Sequence, residues 1–126
     1  MRLFSKALEE PRIKLLGTIL PDDCKIFIVD GMQVRNEFNI EFVLGGHHYV
    51  GPNYERIPED EIWVEDTGDP QDLADNTAHE IVERILMKFT DMEYDDAHEV
   101  ASSVEKVLRL EESGNEKKGL RYYQRR

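Results

Sequence analysis

The run Thr77-Ala78-His79-Glu80-Ile81-Val82-Glu83-Arg84 places an imidazole and a carboxylate four residues apart. In a helix that spacing stacks both groups on one face, one turn apart, where they can reach a single ion. A second imidazole, His98, follows in Asp95-Asp96-Ala97-His98-Glu99-Val100-Ala101, whose apolar spacing is again helical. An antiparallel pairing of the two segments brings His98 back to His79 and Glu83. Two imidazoles and a carboxylate, with one tetrahedral position left over, form the donor set of a catalytic zinc site. Glu80, directly after the first histidine, stands where a zinc hydrolase keeps its general base. The familiar form of that motif has histidine at the position of Glu83. The expectation is therefore a metal site of His79, Glu83 and His98, with zinc as the ion and Glu80 as the catalytic base.

Each of these residues also has a plainer reading. His79 and Glu83 can be a surface pair that supports a helix, His98 a packed and hydrogen-bonded side chain, and Glu80 a solvated helix residue. His47 and His48 follow the glycine pair Gly45-Gly46 in a strand pattern, where alternation sends one inward and one outward. His47 either completes or replaces the third ligand, or packs across strands. Glu105 lies seven residues beyond His98 on the same face. It can orient an imidazole by accepting its second N–H, or pair with Arg84 or Arg109. Trp63, Tyr49, Phe42 and Tyr94 read as core or sheet-face aromatics. Neither a phosphate-cradling glycine loop nor a serine-nucleophile elbow occurs.

The elements that must position these groups read as follows. Residues 1–20 form a broken amphipathic helical arm, with Leu3, Phe4, Ala7 and Leu8 before Pro11 and Ile13, Leu15, Leu16, Ile19 and Leu20 after it. Residues 25–29 form a strand, and Asp30-Gly31 is a hairpin signal leading into a second strand at 32–35. Glu41-Phe42-Val43-Leu44 starts another strand, continued by His47-His48-Tyr49-Val50 beyond a bulge at the glycines. Residues 61–66 alternate polar with apolar and are charged enough to suit an edge. Asp69 caps a helix that opens with Pro70 and runs to about Lys88. Its buried stripe is expected to be Leu73, Ala74, Thr77, Ala78, Ile81, Ile85 and Leu86, with His79, Glu80 and Glu83 beside it. A second helix at 94–110 buries Ala97, Val100, Ala101, Val104 and Leu108, the alanines permitting close contact. The sum is an α+β fold, a small antiparallel sheet followed by two packed helices, with a zincin-like outline. Residues 21–112 are the domain and 113–126 a basic, flexible tail.

The chain has 126 residues and a net charge of −11. Five basic groups and only Glu116 lie from Gly114 onward, so residues 1–113 carry −15 once the tail's net +4 is removed. Such a body repels phosphate backbones and attracts basic proteins. Nucleic acid is not an expected partner. The apolar runs fall short of the ~20 residues of a membrane span and the start carries no leader pattern, so a soluble, cytoplasmic protein is expected. The single cysteine, Cys24, rules out an internal disulfide and enters an apolar run, which points to burial rather than to nucleophilic work.

The pattern Gly45-Gly46-His47, Ile57-Pro58, Glu61-Ile62-Trp63-Val64, His79-Glu80-x-x-Glu83-Arg84 with Met87, and Tyr94-x-x-Ala97-His98-x-x-Ala101-Ser102 with Glu105 resembles a family of small proteins from archaea, bacteria and their phages. Its members are similar to minimal zincins. The resemblance spans roughly residues 26–105. Many members read histidine-glutamate-leucine-histidine-glutamate, so Val82 stands where they have a second histidine, while Glu83 keeps their glutamate. The resemblance implies a shared fold and a shared site, and names no substrate. Two functions follow as expectations: a zincin-like metal-binding protein acting as a metal-dependent peptide hydrolase, or a metal-free acidic module that binds a protein partner.

Overall fold

The computed structural model describes residues 11–38 and 40–121, with side chains as far as Glu111. In order along the chain it contains β1 (Arg12–Ile19), β2 (Cys24–Val29), α1 (Gly31–Phe38), β3 (Gly45–His47), a 3-10 turn (Tyr54–Arg56), β4 (Glu61–Glu65), α2 (Pro70–Phe89) and α3 (Tyr94–Arg121). The strands form one sheet in the order β1-β2-β4-β3. It is mixed rather than antiparallel: β2 and β4 run parallel, with Ile26 opposite Ile62, while β1 and β3 pair antiparallel on the outside. The fold is α+β, with α2 and α3 packed as a pair. Side-chain contacts from Glu83 to His98, His79 to Glu105 and Asp72 to Arg109 run in opposite directions along the two helices, so the pair is antiparallel.

Alternation along β2 and β4 divides the core in two. Phe27, Val29 and Trp63 join Val34, Phe38, Phe42 and Ile57 on the face covered by α1. Cys24, Ile26, Ile28, Ile62 and Val64 meet Leu73 and Ile81 of α2 on the other. Being covered on both faces is the normal state of a parallel pair at a sheet centre.

Four local expectations change. Residues 12–19 of the expected helical arm are a strand whose Ile13 and Leu15 stay exposed, and residues 1–10 lie outside the described residues. The second strand expected at 32–35 is helix α1, because the Asp30 carboxylate accepts a hydrogen bond from the Gln33 N–H at 3.2 Å as a helix cap instead of turning a hairpin. The strand begun at Glu41 reduces to Gly45–His47, since Leu44 adopts φ 66°. Strand β4 is central, not an edge. Its charged ends are neutralised from afar: Glu61 accepts from Trp63 Nε1 (2.8 Å) and faces Arg12 (3.5 Å), and Glu65 forms a two-pronged pair with Arg35 (3.1 and 3.2 Å).

The helix expected from Pro70 is present and ends at Phe89, and Asp69 caps it by accepting from the Gln71 N–H at 3.0 Å. Its burial is the reverse of the expected stripe. Asp75, Asn76, His79, Glu80, Glu83 and Arg84 are its buried residues, whereas Leu73, Ile81, Ile85 and Leu86 are only half-buried. Ala97 and Ala101 of α3 are fully buried, as close helix contact requires. The helix continues through residues 113–121 of the expected flexible tail, and 122–126 are not described. None of the described helices is long and apolar enough to cross a membrane.

Candidate metal centre

Burying a carboxylate and two imidazoles against a sheet costs several kcal/mol unless each finds a partner, and the partners here converge on Glu83. Its Oε1 lies 2.9 Å from His47 Nε2, and its Oε2 lies 2.8 Å from His98 Nδ1 and 3.4 Å from His79 Nε2. The two imidazole nitrogens are 3.3 Å apart. Burial opposes ionisation of Glu83, but hydrogen bonds from the three histidines hold its pKa at about 2. It is a carboxylate at any physiological pH.

The proton positions follow from the outer contacts. The Tyr49 N–H donates to His47 Nδ1 at 3.2 Å, so the proton of a neutral His47 sits on Nε2 and is donated to Glu83. Burial lowers the pKa of His47, which keeps that ring neutral. His79 is fixed in the opposite sense. Its Nδ1–H donates to Glu105 Oε1 at 3.0 Å, which turns the lone pair of Nε2 towards Glu83 and His98. Glu105 is itself held by Arg109 at 2.9 Å, and Arg109 reaches on to Asp72 (2.9 Å) and Asp75 (3.3 Å). In the metal-free protein the carboxylates of Glu83 and Glu105 favour a second proton on the ring, at Nε2, which then donates to Glu83, so the pKa of His79 is raised against the effect of burial.

Two groups of side chains are close enough to hold a cation: His79, Glu83 and His98, and His47, Glu80 and Glu83. The first has the donor spacing of a four-coordinate site. Its donor atoms form a triangle with edges of 2.8, 3.3 and 3.4 Å. Tetrahedral bonds of ~2.0–2.1 Å separate donors by about 3.3 Å. The second group is closed, because His47 spends Nε2–H on Glu83 and Nδ1 on Tyr49. His47 is thus a holder of the carboxylate rather than a third ligand.

Glu80 points into the same cavity. Its side chain is buried, and Oε1 has no hydrogen-bond partner among the described residues. Burial and the neighbouring charges of Glu83 and Glu105 raise its pKa well above the ordinary 4.5. The room for it comes from Gly45, where a Cβ would lie 2.8 Å from Glu80 Cγ. Gly46 likewise lets the Tyr54 ring lie against the strand, with 2.8 Å from its ring edge to where a Cβ would be. The glycine pair, expected to mark a bulge, is where Glu80 and Tyr54 come close to the backbone.

The cavity has a volume of about 360 Å³, and the sheet side contributes Val43, Leu44, Gly45, Val50 and Tyr54 to its wall. The structure brings His79, Glu80, Glu83 and His98 together and adds Glu105 through His79. It moves His48 away, tied by Nδ1 to the Ile57 carbonyl at 2.9 Å. Tyr94, expected as a core or sheet-face aromatic, instead lines the cavity and stacks on His98 with ring centroids 5.3 Å apart. Its position four residues before His98, one turn along the same helix, was the signal available for it. Cys24 is fully buried, and burial pushes its thiol up to about 11, which removes it from nucleophilic chemistry. Comparison with protein-family models, curated proteins and solved structures gave no match.

Proposed function

We propose that this chain is a zincin-like metal-binding protein and a metal-dependent peptide hydrolase. The observation that carries the reading is the triangle of His79 Nε2, Glu83 Oε2 and His98 Nδ1, with edges near those of a tetrahedral site and a buried acid, Glu80, alongside. His98 Nδ1 has Glu83 Oε2, His79 Nε2 and the Tyr94 hydroxyl all within 3.3 Å. One ring nitrogen cannot hydrogen-bond well to all three, whereas one cation satisfies several donors together. A zinc ion held there supplies Lewis acidity, polarising a carbonyl and making water more acidic.

The chain's own residues do the rest. Glu80 takes the proton of the attacking water and delivers it to the departing amine, a task for which a raised carboxyl pKa is suited. Glu105 and His47 keep the donor atoms aimed, the first through His79 and the second through Glu83. Part of the cavity wall is Gly45 of β3, the outer strand of the sheet, with Val43 and Leu44 just before it.

The test is metal analysis of untagged protein after zinc loading, with turnover of a peptide library. One equivalent of zinc is expected, lost in His79→Ala and in Glu83→Ala. Glu80→Gln should keep the zinc and lose hydrolysis by 10²-fold or more, the order of a general-base contribution. Unchanged turnover in Glu80→Gln removes that residue from the mechanism. A folded wild-type protein that takes up no metal leaves the other expectation, an acidic module that binds a basic protein partner.

A further inference from the structure

Tyr94 is the first residue of α3, and its ring lies on the His98 imidazole at an interplanar angle of 30°. That stacking fixes where the hydroxyl can go. It lies 3.3 Å from His98 Nδ1, the nitrogen that also faces Glu83 and His79. A separation of about 3.3 Å is also that between neighbouring donors around a tetrahedral zinc ion. The hydroxyl is therefore next to the donor triangle, on the wall of the cavity that Glu80 enters. A His98 Nδ1 whose lone pair is turned to a cation offers the phenol no acceptor. The phenol proton is then free for an oxygen arriving from the cavity.

Resting on the metal-site reading above, we propose that Tyr94 is a further catalytic residue, whose hydroxyl donates a hydrogen bond to the substrate carbonyl oxygen at the fourth coordination position. The donor stabilises charge that develops on that oxygen as the carbonyl is attacked, the work of an oxyanion hole. No proton leaves the phenol, and no bond to it forms. A phenol ordinarily titrates at about 10, so it is a donor at neutral pH. Glu80 and Tyr94 then divide the chemistry, one handling the water's proton and the other the carbonyl oxygen.

The experiment uses cobalt(II)-loaded protein and acetohydroxamic acid, a probe whose oxygens occupy the substrate side of such an ion. Tyr94→Phe should take up one equivalent of cobalt with affinity within about twofold of wild type, because no ligand is changed. Its affinity for the probe should fall about tenfold, the loss of one hydrogen bond to a charged oxygen. Peptide turnover should fall about 10²-fold in kcat with KM little altered. Normal cobalt uptake with unaltered probe affinity overturns the role of Tyr94 alone. A phenolate-to-metal charge-transfer band in the copper(II) protein, absent from Tyr94→Phe, also overturns it by making Tyr94 a ligand. Wild-type protein that takes up no cobalt overturns the metal reading and this inference with it.

Discussion

Glu80 and Glu83 sit three residues apart on one helix and are driven in opposite electrostatic directions. Three histidines reach Glu83 and hold it ionised, while burial and that same charge raise the pKa of Glu80. A pair of carboxyls pushed apart in this way is the usual signature of divided acid–base roles. The motif at 79–83 exposed the pair to view in the sequence, but not the split, which depends on His47 arriving from a strand more than thirty residues earlier. A pH dependence follows for the metal-free protein. Because the folded-state pKa of Glu80 is raised, its stabilising effect is complete below the ordinary 4.5 and is lost as pH rises through the folded value. Glu80→Gln removes that loss. Its stability relative to wild type should therefore grow between pH 4.5 and pH 7.5, measured as urea midpoints, and a difference that stays constant across that range contradicts the burial of an uncharged acid.

At the scale of elements, helix α2 was legible in its limits and misread in its facing. Asp69 and Pro70 mark its start through local chemistry that any reader of the sequence can apply. The rule that apolar residues choose the buried side fails here, because the polar residues 75, 76, 79, 83 and 84 meet partners from other elements and Glu80 turns into the cavity. Arg84 is an example: fully buried, it donates to Asp22 at 3.2 and 2.7 Å and to the Glu59 carbonyl at 2.7 Å. Asp22 comes from the turn between β1 and β2, sixty-two residues away. No local pattern announces such a pairing. The same holds for β4, whose Glu61 and Glu65 looked like edge charges until Arg12 and Arg35 were seen to meet them. Breaking the Arg84 pair by Asp22→Asn should cost about 3 kcal/mol in chemical denaturation, since a buried guanidinium loses its countercharge. A cost below about 1 kcal/mol would mean that the Glu59 carbonyl and solvent suffice for it.

For the molecule as a whole, charge bears on the proposed metal site. A chain of net −11 folded around a cavity lined by Glu41, Glu80, Glu83 and Glu105 concentrates cations there before any of them is bound. The overall α+β class could be read from the sequence because the two long helical segments stand apart from the β-rich runs at 25–29 and 61–65, although residues 12–19 and 32–35 were exchanged between helix and strand. The mixed sheet could not, since strand order is decided by pairing across distance. Binding to the folded state alone raises stability by about 2.7 kcal/mol when free zinc is a hundredfold above its Kd. For a domain of this size that is a rise of roughly 10 °C in Tm. A thermal scan with and without chelator should show it, and His79→Ala should abolish it; a Tm indifferent to zinc in wild type would speak against the site.

Helix α3 carries two components of the centre seven residues apart, His98 as a donor and Glu105 as the acceptor that aims His79. Sliding it along α2 by one turn, about 5.4 Å, would remove a donor and let the opposite imidazole swing in the same movement. In the proposed site, grip on an ion and alignment of the two helices are thus one degree of freedom, and loosening α3 would release such an ion abruptly instead of by degrees.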